Sequence, residues 1–166
     1  MKLSVEAVLE IAQKIERNAV SYYDKAAEYF PVYRKDLLSL KMMEENHVKL
    51  FLAMQDALDD DQRSKLSPDP FGELDTYLQV FADTSGGEGR LLEIRSFTGK
   101  ESLDEVLATS IKLERESILF YRKIESLLLK DGKMHIDAIV EEENRHIKIL
   151  EKMRENKSMQ GGNDGR

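Results

Sequence analysis

Two tetrads, Glu44-Glu45-Asn46-His47 and Glu143-Asn144-Arg145-His146, each set a glutamate and a histidine three positions apart. On an α-helix this spacing stacks both side chains on one face, on neighbouring turns. A carboxylate oxygen and a neutral imidazole nitrogen so placed can hold one metal ion between them, and such donors suit iron or manganese. The chain has no cysteine, which excludes disulfides, thiolate zinc sites and iron–sulfur clusters.

The elements that must position these residues follow from apolar periodicity. A 4-3 heptad frame puts both pairs on apolar seams: Leu37, Leu40, Glu44, His47, Phe51, Met54, Leu58, and Ile136, Ile139, Glu143, His146, Leu150, Met153. Two further seams carry one glutamate each. They read Val5, Leu9, Ala12, Glu16, Ala19, Tyr23, Ala26, Phe30, and Leu103, Leu107, Ser110, Glu114, Ser117, Tyr121, Ile124, Leu128. Four amphipathic helices thus present four glutamates and two histidines at mid-height, with no lysine or arginine on any seam.

Moving one carboxylate into a low-dielectric core costs an idealised amount on the order of 20 kcal/mol, of which several remain after relaxation. A domain of this size has a net stability of only about 5–15 kcal/mol. Four uncompensated carboxylates in one layer are therefore untenable. Two divalent cations would neutralise them, and two imidazoles would complete the shells. The residues predict a dinuclear metal site with Glu16, Glu44, His47, Glu114, Glu143 and His146 as ligands.

The 166 residues suit one domain with a proper core, and 34% charged with 41% hydrophobic residues suits amphipathic helices. A formal charge of −7 offers no basic surface for nucleic acid or an anionic membrane. Met1-Lys2-Leu3-Ser4-Val5-Glu6 lacks the apolar core of a signal peptide, and no apolar run approaches spanning length. A soluble cytoplasmic protein is expected.

In chain order, Ser4 should cap a first helix that stops near Phe30, because Pro31 disfavours helix at the residue before it. A second helix is predicted from about Tyr33 to Leu58, antiparallel to the first, with Asp59, Asp60 and Asp61 as a solvated exit. Residues 59–100 form a long connection; Asp69-Pro70 followed by Phe71, Leu74, Leu78 and Phe81 predicts a short helix in it. A connection of this length can cross the bundle and make the third helix parallel to the second. That third helix opens with a capping box, Ser102 to Glu105, and is expected to reach Leu129. Asp131-Gly132 is read as the turn, 133–156 as the fourth helix, and 157–166 as a mobile polar tail after a 1–156 bundle.

The halves repeat. Glu16 and Tyr23 match Glu114 and Tyr121 at equal offsets, and Glu44 to Phe51 parallels Glu143 to Leu150. Two similar hairpins about an approximate two-fold would bring all six ligands to one level. Tyr23 and Tyr121 lie on the ligand face and are read as hydrogen-bond donors that fix a carboxylate, with a redox relay or plain core packing as the alternatives. His135, at the start of its helix, is read as a surface residue, and Met42, Met43 and Met54 as packing. Glu45, Glu141 and Glu142 are assigned to solvated faces.

Helices contributing single glutamates and others contributing Glu-x-x-His build the ferritin-like di-iron and di-manganese bundles. Within that class the motifs around Glu16, Glu44, Glu114 and Glu143 resemble the rubrerythrin family over about residues 4–156. The resemblance implies an all-α, ferritin-like antiparallel four-helix bundle with a long crossover. It implies that Glu44 and Glu114, or their symmetry partners, bridge two iron ions (manganese being the alternative), with Glu16 and Glu143 more terminal. Spacing does not say which carboxylates bridge. His47 and His146 would bind one ion each.

Three departures shape the functional expectation. Rubrerythrins carry a cysteine-ligated electron-delivery domain, so a chain without cysteine needs a separate donor protein. Where they place a further glutamate three residues after the third-helix ligand, this chain has Ser117. The bacterioferritin haem methionine follows the second-helix glutamate, where this chain has Glu45, so no haem is implied. The expected activity is reduction of peroxide or dioxygen by a homodimeric di-iron protein. Iron binding, ferroxidation or storage, and di-manganese catalase-like disproportionation, are the alternatives.

Overall fold

The computed structural model of the chain describes residues 4–64, 76, 98–128 and 130–161. Helix α1 spans Val5–Tyr29. Its N-cap Ser4 accepts a hydrogen bond from the Ala7 N–H at 3.2 Å, satisfying one of the amides that a first turn leaves unpaired. Pro31 ends it through a 3-10 turn, Pro31–Tyr33, and α2 follows at Arg34–Asp56.

The three aspartates after α2 are exposed, as expected of a solvated exit, and they also open a new element. Asp59 caps a short helix, α3 (Asp60–Ser64). The Gln62 N–H donates to Asp59 Oδ1 at 2.8 Å and the Asp59 N–H to Gln62 Oε1 at 2.9 Å. This is the reciprocal geometry of a capping box. The short helix expected at Phe71–Phe81 lies outside the described residues.

The chain re-enters at Gly99, whose φ of 76° is the one positive value among the described residues. The positive φ requires glycine there, and the Tyr29 ring packs over the position a Cβ would take. Helix α4 (Leu103–Ile124) begins with the predicted capping box. The Glu105 N–H donates to Ser102 Oγ at 3.3 Å, and the Ser102 N–H to Glu105 Oε2 at 2.8 Å.

The last hairpin turns earlier than the sequence suggests. A 3-10 turn at Glu125–Leu127 and an extended Leu128 reverse the chain, and α5 runs from Lys130 to Gly161. Asp131-Gly132 therefore sits in the first turn of α5 and not in the loop. Burial of Leu127 and Leu128 decides the position of the reversal. Gly132 serves close packing, since a Cβ there would come within 3.0 Å of the Leu128 Cβ.

At the other end α5 continues five residues past the expected stop at 156. Met153 is buried, and Arg154 forks onto Asp104 of α4 at 3.0 and 3.2 Å. Residues 162–166 lie outside the description.

Two apolar clusters fix the topology. One gathers Val5 and Leu9 with Phe51, Met54, Phe120, Ile124, Ile136 and Ile139. The other gathers Tyr22 and Ala26 with Leu37, Leu40, Leu103, Leu107, Leu150 and Met153. The start of α1 thus meets the ends of α2 and α4 and the start of α5. Helices α2 and α4 are parallel, α1 and α5 run the opposite way, and the connection between α2 and α4 crosses the full bundle. Between the clusters lies a single polar layer.

Candidate metal centre

The layer between the clusters is a set of buried polar side chains at mid-height, one each from α1 and α4 and two each from α2 and α5. Glu16 (α1), Glu44 and His47 (α2), Glu114 (α4), and Glu143 and His146 (α5) are each at most 4% exposed. All six predicted ligands meet here. No lysine or arginine is buried among the described residues.

Six side chains form two overlapping groups. Glu16, Glu44, His47 and Glu143 bring one donor atom each within 4.8 Å of one another, and so do Glu44, Glu114, Glu143 and His146. Glu44 and Glu143 belong to both. Glu16 and Glu114, by contrast, each belong to one group. The reason is the approximate two-fold. It exchanges Glu44 with Glu143, the glutamates of the two Glu-x-x-His helices, and leaves Glu16 and Glu114 on opposite flanks.

Each histidine aims one ring nitrogen at the carboxylates. His47 Nδ1 lies 3.2 Å from Glu44 Oε2, 3.3 Å from Glu143 Oε1 and 3.6 Å from Glu16 Oε2. His146 Nδ1 lies 2.9 Å from both Glu44 Oε1 and Glu143 Oε2, and 3.7 Å from Glu114 Oε1. The rings stack with centroids 5.7 Å apart and planes inclined by 22°.

Proximity is not satisfaction. Glu44 Oε1, both Glu143 oxygens and both His146 ring nitrogens are buried without a hydrogen bond of acceptable geometry. Native cores leave few such atoms, and each carries a desolvation cost of about 1–3 kcal/mol or more for charged groups. Unpaired lone pairs converging from several helices are what a cation would satisfy. The residues present fit two divalent ions.

Two tyrosines complete the layer across the two-fold. Tyr23 on α1 donates its hydroxyl to Glu114 Oε1 on α4, and Tyr121 on α4 donates to Glu16 Oε1 on α1. Each therefore holds a flanking carboxylate in the opposite hairpin. Burial pushes both phenols well above their ordinary pKa, with the Glu114 charge adding at Tyr23 and the Glu16 charge at Tyr121.

Without metal, protons take the place of the missing positive charge. Burial, and then the Glu44 charge, raises Glu16 from 4.5 to about 8. Burial, and then Glu114, raises Glu143 to about 8. Burial alone would lower both histidines, but carboxylates outweigh it. Glu143, Glu16 and Glu44 raise His47, and Glu114, Glu143 and Glu44 raise His146 to about 12. At Glu114 burial pushes up, yet His146, Glu143 and Tyr23 together draw the carboxyl down.

Small side chains leave room on one flank. A cavity of about 10 Å³ between α1 and α4 is lined by Glu16, Ala19, Tyr23, Glu114 and Ser117, close to the space of a single water. His135 is exposed and lines a separate apolar cavity of about 270 Å³ at the bundle end, apart from the layer. Met54 packs in the core as expected, whereas Met42 is 57% exposed.

Two polar residues near the layer escaped the sequence reading. Gln13, buried one turn before Glu16, donates to Gln55 at 2.5 Å. Glu142, expected on a solvated face, reaches His47 Nε2 at 2.9 Å. A seam frame could flag Gln13 by its i−3 spacing from Glu16. No pattern within one helix could flag a contact between α5 and α2.

No family model and no curated protein matches the chain. Among solved structures it is similar to a Thermotoga maritima protein described as ferritin-like and diiron-carboxylate. Identity is 21%, with 93% of this chain and 97% of that one covered and a TM-score of 0.69. The fold is ferritin-like. At this identity the likeness establishes the architecture. In this ferritin-like bundle the carboxylate and histidine cluster could hold metal, and among the described residues no helix is long and apolar enough to cross a membrane.

Proposed function

We propose that the chain is a di-iron oxidoreductase of rubrerythrin type, reducing peroxide or dioxygen with electrons from a separate donor protein. The observation that carries this reading is the pair of overlapping ligand groups sharing Glu44 and Glu143, with four orphaned polar atoms facing into them: Glu44 Oε1, both Glu143 oxygens and His146 Nδ1. Two ferrous ions held by these residues would supply the two electrons that reduce a peroxide, and the donor protein would restore them.

The chain's own residues serve that chemistry in distinct ways. Glu44 and Glu143 would be shared by both ions, while Glu16 with His47 and Glu114 with His146 would each complete one shell. Tyr23 and Tyr121 hold the flanking carboxylates against rotation, and their raised pKa keeps their protons on the hydroxyls. The cavity between α1 and α4, close to the space of a single water, opens beside Glu16 and Glu114. The apolar clusters on either side keep bulk water from the layer.

Elemental analysis of the purified protein, with optical spectra before and after anaerobic addition of peroxide to ferrous-loaded samples, tests the proposal. The expected result is two iron ions per chain and an absorbance change that consumes peroxide in proportion. Iron-loaded protein that leaves peroxide and dioxygen untouched would reject it. The oxygen and imidazole donor set suits manganese equally well. Manganese in the purified protein with peroxide disproportionation would therefore favour the catalase-like reading.

A further inference from the structure

The approximate two-fold that relates the halves fails at the outer nitrogen of His47. Glu142, half-exposed on α5 directly before Glu143, places Oε2 2.9 Å from His47 Nε2. The same imidazole directs Nδ1 at Glu44, Glu143 and Glu16. An ion held at Nδ1 needs the lone pair there, so the proton must sit on Nε2, and Glu142 is placed to accept it. Such outer carboxylates fix the ring and tautomer of a metal-binding histidine and raise its basicity.

On the other side nothing equivalent exists among the described residues. The position directly before Glu44 is Met43, which has no carboxylate to offer. His146 Nε2 is buried without a hydrogen bond. The tyrosine contacts do not produce the difference, because Tyr23 on Glu114 and Tyr121 on Glu16 are equivalent under the two-fold. The Arg145 guanidinium, 3.6 Å from Glu142 Oε1, occupies the other oxygen of the same carboxylate. As an exposed pair it contributes little by itself.

We propose that Glu142 is a positioning residue that makes the two halves of the metal centre unequal. By fixing His47 it causes the Glu16–Glu44–His47–Glu143 half to take a divalent ion first and more tightly, with the His146 half filling second. The inference rests on the dinuclear reading of the site.

Anaerobic calorimetric titration of the metal-free full chain with Mn²⁺ tests it, with two binding steps expected for the unaltered protein. Glu142→Ala should weaken the tighter step by about 10–100-fold and leave the weaker one unchanged. Glu142→Gln, whose amide oxygen still accepts from Nε2–H, should retain most of the affinity. Met43→Glu should strengthen the weaker step. In Co²⁺-loaded protein, proton NMR should show an exchange-protected imidazole N–H that Glu142→Ala loses and Glu142→Gln keeps. Equal losses in both steps, or none in either, would overturn the role of Glu142 while leaving the dinuclear centre standing. Failure of the unaltered chain to bind Mn²⁺ or Fe²⁺ would overturn both.

Discussion

Tyr23 and Glu114 are 91 residues apart in the chain and share a hydrogen bond at the centre of the bundle. Neither hairpin alone can hold its flanking glutamate, because the hydroxyl that does so comes from the other. The metal layer is therefore a product of hairpin docking, and its ligands are oriented only once both halves have packed.

That dependence can be tested by removing one oxygen atom. Tyr23→Phe should leave the bundle folded but free Glu114, weakening metal binding by about tenfold or more on the His146 side. Tyr121→Phe should do the same through Glu16 on the His47 side. Metal titration followed by calorimetry separates the two, and identical binding curves for both variants and the unaltered chain would disprove the assigned contacts.

The shared and flanking glutamates should behave differently when deleted. Glu44 belongs to both ligand groups and Glu16 to one. Glu44→Ala should leave neither ion bound at stoichiometric metal, whereas Glu16→Ala should retain the ion on the His146 side. Because Glu44 is a buried carboxylate, its removal should not lower the melting temperature of the metal-free protein. Metal content by elemental analysis and melting by circular dichroism are the two readings. Retention of two ions in Glu44→Ala would refute the grouping.

Protons and metal should oppose each other. In the metal-free protein Glu16 and Glu143 are raised from 4.5 to about 8, so their contribution to stability is whole below pH 4.5 and is lost as pH rises towards 8. His47 and His146 are also raised, so theirs is whole below about 6.5 and falls as pH rises above that. Metal-free protein should thus melt at progressively lower temperature from pH 5 to pH 8. Metal binding needs deprotonated ligands and releases those protons, so stabilisation by added Mn²⁺ should grow over the same interval. Scanning calorimetry at several pH values, with and without Mn²⁺, would show the two trends diverging; parallel curves would contradict them.

The capping box of α4 offers a control remote from the metal. Ser102→Ala should cost about 1 kcal/mol of stability through the lost acceptor for the Glu105 amide. Metal stoichiometry should be unchanged. A denaturant melt reads the first, elemental analysis the second, and a loss of metal would show that the helix start and the centre are coupled.

Short-range physics is what the amino-acid order determined alone. The periodicity set four helices, Ser4 and Ser102 set two of their starts, and Pro31 set a stop. The absence of any base on the seams, combined with the cost of burying acid, singled out Glu16, Glu44, His47, Glu114, Glu143 and His146. Only tertiary structure decided relationships between helices, because they depend on rotation and register that no single segment encodes. It pairs Glu44 with Glu143, crosses Tyr23 to Glu114, and brings Glu142 onto His47. It also moved the last reversal back to Glu125–Leu128 and carried α5 on to Gly161. At the reversal, burial of Leu127 and Leu128 outweighed the local turn preference of Asp131-Gly132.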